Sequence, residues 1–160
     1  MAQFDSGRNR FSVGLGNASS YMVSSKPYMS SSVIVASGGD TVVRLDFPNV
    51  SKFITVRNMG PTGSDTTAAD NPGGTAGNAP LRFGFSHIGV SGTVQQNYVV
   101  LNNGESYTGD FRVSRLYLKA DKDGGSLNCT ASVIAGMTGI DAVDLGRKPY
   151  DNWSGSAGVG

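Results

Sequence analysis

The chain has 160 residues, of which 13 are basic and 12 acidic, so its formal charge is +1 and only 16% of its residues are charged. That balance gives no electrostatic basis for nucleic acid or an anionic membrane as partner. One His (His87) and one Cys (Cys129) exclude a Cys/His zinc cluster and an internal disulfide. With 23 glycines and 20 serines among the 160, the composition favours turns and short strands over helices.

From Met1 to about residue 31 there is no helical period and no long alternation of apolar residues. Phe4, Phe11, Val13, Leu15, Tyr21, Met22, Val23, Tyr28 and Met29 are scattered among Ser, Gly and Asn. The segment is too apolar for a solvated tail and too irregular for a self-contained element. It reads as an extended N-terminal arm, 1–31, that is ordered by lying on a neighbour. It lacks the apolar stretch of a secretory leader, and no apolar run in the chain is long enough to span a bilayer, so a soluble protein is expected.

Eight short β-rich runs follow, over 32–36, 40–47, 52–58, 81–86, 97–101, 105–111, 115–120 and 128–135. Thr41, Val43, Leu45 and Phe47 alternate with Val42, Arg44 and Asp46, which describes a strand with one wet face. Leu81, Phe83 and Phe85 alternate in the same way with Arg82, Gly84 and Ser86. So do Leu116, Leu118 and Ala120 with Arg115, Tyr117 and Lys119, and Cys129, Ala131 and Val133 with Asn128, Thr130 and Ser132. Turn residues separate the runs at 37–40, 102–104 and 121–125. Eight strands at this spacing predict an all-β fold over 32–140, a single antiparallel β-sandwich of jelly-roll or immunoglobulin-like Greek-key type. No stretch reads as a long amphipathic helix.

Residues 59–80 form a disproportionately long connection with five Gly, four Ala and three Pro. Residues 141–160 form an extended, Gly-rich tail in which Tyr150 and Trp153 are the candidate anchors.

The chemical constellations were each weighed against a structural role. In a strand, adjacent Ser86 and His87 point to opposite faces and cannot act as nucleophile and base. Cys129 falls on the apolar side of its strand and reads as a small buried hydrophobe. Asp121-Lys122-Asp123-Gly124-Gly125 resembles the start of a calcium loop but lacks the later ligands, so a tight hairpin turn is expected there. Tyr98, Tyr107 and Tyr117 are candidate stacking platforms, with cross-strand packing the plainer reading. Arg112, Arg115 and Lys119, flanked by Asp110 and Asp121, read as a solvated sheet face. Nothing in this inventory points to catalysis, and no cofactor, metal or catalytic residue is expected.

The arm contains Gly14-Leu15-Gly16-Asn17, then Ser20-Tyr21-Met22-Val23-Ser24, then Pro27-Tyr28. With Phe53-Ile54-Thr55-Val56-Arg57-Asn58, Leu81-Arg82-Phe83-Gly84-Phe85-Ser86 and Ser132-Val133-Ile134-Ala135-Gly136-Met137-Thr138-Gly139-Ile140, it resembles small virion structural proteins from tailed phages of marine bacteria and cyanobacteria. The likeness spans most of residues 14–140. It implies a non-enzymatic capsid decoration or minor capsid protein, made in the host cytoplasm and located on the virion surface. The partners it implies are the major capsid protein or other virion proteins, together with further copies of this chain. Leu15, Asn17, Tyr21, Val23, Pro27 and Tyr28 are the arm residues expected to bind them. The alternative expectation is a receptor- or carbohydrate-binding fibre or spike head that uses the 59–80 loop.

Overall fold

All eight expected strands form, and among the described residues one short helix joins them. The computed structural model describes residues 26–36, 41–62, 79–92, 96–121 and 128–142. The elements in chain order are β1 (Lys26–Val35), β2 (Val43–Asp46), β3 (Asn49–Pro61), β4 (Leu81–Gly84), α1 (His87–Ser91), β5 (Val99–Leu101), β6 (Ser106–Gly109), β7 (Arg115–Ala120) and β8 (Cys129–Asp141). They build two antiparallel four-stranded sheets, ordered β1-β8-β3-β6 and β2-β7-β4-β5.

The pairing follows one rule. β1 lies beside β8, β2 beside β7, β3 beside β6 and β4 beside β5. The first half of the chain therefore runs against the second half as one long hairpin whose tip lies between β4 and β5. That double ribbon is rolled so that successive pairs fall in opposite sheets. This is the strand order of a jelly roll, and it decides between the two sandwich types left open by alternation alone.

Period-2 alternation fills the space between the sheets. Val56, Val133, Val35, Leu81, Leu116 and Leu118 are fully buried there, with Cys129, Ala131 and Ala135 allowing β8 to sit close under its partners. Small residues along β8 let the large ones from the facing sheet reach across.

Four expectations need correction. β1 starts at Lys26, so the last six residues of the expected arm belong to the sandwich, and Pro27 and Tyr28 are strand residues. The Tyr28 ring stands edge-on to Phe47 at 5.0 Å between centroids and packs on the chain's own core. Second, β7 and β8 lie in different sheets and do not pair as a hairpin, and residues 122–125 of the turn expected between them lie outside the described residues. Third, the strand expected over 81–86 ends at Gly84, since Ser86 caps α1 and its hydroxyl accepts from the Gly89 amide at 3.1 Å. Fourth, the outer face of β4 and β7 is not wet. Arg82, Gly84, Tyr117 and Lys119 are all buried beneath α1 and residues 96–98. Lys119 Nζ donates to the Ser91 carbonyl at 2.8 Å, and Arg82 pairs with Asp121 while its guanidinium lies 4.4 Å from the Tyr98 ring centroid. Lys119 is thus tied into the fold and does not belong to a solvated basic stripe.

Two further boundaries shift. β3 runs on to Pro61, three residues into the expected 59–80 loop, and Ala79 re-enters as a core residue. β8 continues to Asp141 because the 13-residue β3 offers a partner along its whole length.

A candidate interaction face on the first sheet

With β4 and β7 of the second sheet roofed by α1, the outer face of β1-β8-β3-β6 is a whole sheet face that no described element covers. Its composition follows from the register. Met29 lies opposite Ile134, Ile134 opposite Thr55, and Thr55 opposite Thr108, so one row crosses all four strands. The inner neighbours of this row, Ala135 and Ile54, are buried, which places the row itself on the outside. Thr55 and Thr108 share a hydroxyl hydrogen bond of 2.8 Å.

The flanking rows are alike. Pro27, Gly136 and Phe53 form the next row on one side, and Ser132, Arg57 and Ser106 the next on the other. Beyond the bulge in β1, Ile34 faces Thr130, whose hydroxyl bonds to that of Thr62. Met29 is 69% exposed, Ile34 59% and Ile134 37%, and Met59 at the bulge of β3 is 52% exposed. Among these outward positions Arg57 carries the one charge. A face of Met, Ile, Phe and Thr with a single cation holds little water tightly and suits an uncharged partner.

The edge of the opposite sheet carries an exposed cluster of charges. Arg44 and Asp46 pair on β2 at 2.8 Å, with Arg115 of β7 3.5 Å from the same carboxylate oxygen. The Asp46 hydrogen bond and charge push the Arg44 guanidinium above its ordinary value.

The residues weighed for chemistry are dispersed. His87 is exposed in the first turn of α1, edge-on to Tyr117 at 6.3 Å, while Ser86 is occupied as the helix cap. Cys129 lies in the core, and burial pushes its thiol up to about 11. Tyr107 packs on Phe83 and Phe111, at 5.4 and 6.2 Å between centroids, and Tyr117 is buried, so both serve packing. Among the described residues no cluster of His, Cys, Asp and Glu could hold a metal ion.

Of the residues expected to bind partners, Pro27 lies on the apolar face and Tyr28 turns inward. Leu15, Asn17, Tyr21, Val23, Tyr150 and Trp153 lie outside the described residues, as do Asp65, Asp70 and Asn71 of the long loop. Reading the sequence did not identify Met29, Ile34 and Ile134 as one surface. Their signal was present in the alternation of β8, but the pairing of β1 with β8 was needed to join them.

No protein-family model matches this chain, and neither does any curated protein sequence.

Proposed function

We propose that the chain is a non-enzymatic structural protein of a virus particle, a capsid decoration or cement protein that attaches to the shell through its N-terminal arm and a sandwich face. The observation that carries this reading is the jelly-roll strand order, an arrangement that viral capsid domains share with lectins and cupins. Fold alone does not assign function. Two features favour the shell over a sugar site. The open face is nearly uncharged, as the centre of a surface that packs against protein should be. The aromatic side chains that would stack on a sugar are engaged elsewhere, with Tyr117 buried, Tyr107 against Phe83 and Tyr98 against Arg82.

The deciding measurement is the copy number of this chain in purified particles of the virus that encodes it, by quantitative mass spectrometry. Hundreds of copies per particle are expected for a shell component. A few copies would move the protein to a tail or fibre, and none would overturn the virion reading.

A further inference from the structure

We propose that the outer face of β1-β8-β3-β6 is the seat of residues 11–25 of a second copy of this chain. This deepens the structural-protein reading by naming the partner of the same face.

Three observations carry it. The first is chemical match. Residues 11–25 contain no charged side chain, and neither do the central row Met29–Ile134–Thr55–Thr108 and its neighbour Pro27–Gly136–Phe53. Phe11, Val13 and Leu15 recur at every second position with Ser12, Gly14 and Gly16 between them. In an extended chain that spacing puts three large apolar groups on one side and only small ones on the other.

The second is the way the chain reaches this face. Lys26 precedes Pro27, which restricts it to extended backbone, and it is already a strand residue opposite Met137. β1 is an edge strand of this sheet, so any segment preceding Lys26 joins the sandwich at the rim of the face, and seating it on its own face would need a reversal next to a residue pair that favours straight chain. Continuing outward, 15 residues reach roughly 50 Å, well past the limits of one sandwich.

The third is size. Strands of 10, 13, 13 and 4 residues, about 4.8 Å apart and rising about 3.3 Å per residue, make a face of roughly 600 Å². That is short of the roughly 800 Å² per partner that a stable complex uses. An extended segment fits a face of that size. When copies exchange arms, each interface contains two such seats, which brings the buried area to the required size.

The test uses the full-length protein, mixed from ¹⁴N- and ¹⁵N-labelled chains, with a photo-crosslinking phenylalanine analogue at position 29, where the side chain is 69% exposed. Cross-linked peptides joining position 29 to residues 11–25 in heavy–light pairs are expected. Pairs of one isotope only, partner peptides from elsewhere, or no cross-link would each overturn the proposal. In parallel, sedimentation should show self-association that weakens at least tenfold in Ile134→Glu and in Leu15→Asp, and is unchanged in Arg44→Glu on the opposite sheet. Association that survives both of the first two changes also overturns it. A chain that is monomeric alone yet binds particles through residues 1–25 would refute self-docking and leave the structural role standing. Self-association by a chain that particles lack would do the reverse.

Discussion

Arg82 of β4 and Asp121 at the end of β7 form an ion pair shut away from solvent, with side chains 9% and 10% exposed. The pair joins β4 to the end of β7 under Tyr98, and beside it Lys119 ties down the end of α1; together they clamp this cover onto the second sheet. That cover lies over β4 and β7 while Arg44 and Asp46 of β2 stay exposed, and the outer face of the first sheet has no described element over it.

Removing one member of a buried pair strands the other charge. Asp121→Asn is therefore expected to cost about 3–5 kcal/mol in urea unfolding. The solvated pair Arg44–Asp46 provides the contrast, and Asp46→Asn should cost less than about 1 kcal/mol. Equal losses at the two sites would contradict the assignment of Arg82–Asp121 as the buried clamp.

Asn58 is fully buried, and its amide nitrogen donates to the carbonyls of Ala79 at 2.7 Å and Leu101 at 2.9 Å. It thereby ties together the exit and re-entry points of the long 59–80 connection. Asn58→Leu leaves two carbonyls without their donor and should destabilise by about 2–4 kcal/mol. Shortening the connection between residues 63 and 78 should cost far less, because the tie at Asn58 is retained. Chemical denaturation of both variants checks this.

Gly84 is held by contact. A Cβ there would lie 2.7 Å from Val90 Cγ2 and 2.9 Å from the Asn97 carbonyl. Gly84→Ala should lose about 1–3 kcal/mol through displacement of α1. Adding Val90→Ala should recover little of it, since the Asn97 backbone oxygen cannot retract. A double-mutant cycle would expose full recovery, which this packing does not allow.

Cys129 offers a pH test. Its folded-state pKa, about 11, lies above the ordinary thiol value of 9.0. A group raised in the folded state contributes stability that is fully present below the unfolded pKa. Stability should therefore be independent of this thiol below about pH 9, and fall between pH 9 and 11 as the unfolded chain ionises first. The fall should be absent in Cys129→Ala. At pH 8 the native thiol should resist an aromatic disulfide reagent that reacts at once in urea.

Strand existence was legible from the chain because alternation is a local property with a period of two. The eight runs needed no partner to be recognised, and Cys129 declared its inward position from its neighbours Ala131 and Val133. Strand ends were less legible. Ser86 could continue a strand or cap a helix, and a five-residue helix is too short to display a 3.6-residue period. Arg82 and Lys119 misled for a related reason. A charged residue at an outward position reads as solvated unless the cover over it is known, and that cover, α1 with Tyr98, comes from a different part of the chain.

The sequence by itself determined the class of this protein: a β-sandwich with sparse charge and an uncharged, partly apolar segment over residues 11–25. These follow from composition and short-range spacing, which act within a few residues. Only the tertiary structure decided that β1 pairs with β8, that the fold is a jelly roll, and that Met29 and Ile134 meet across strands on one nearly uncharged face. Pairing of strands so far apart in the chain is selected by packing the whole core at once, and no local pattern encodes it.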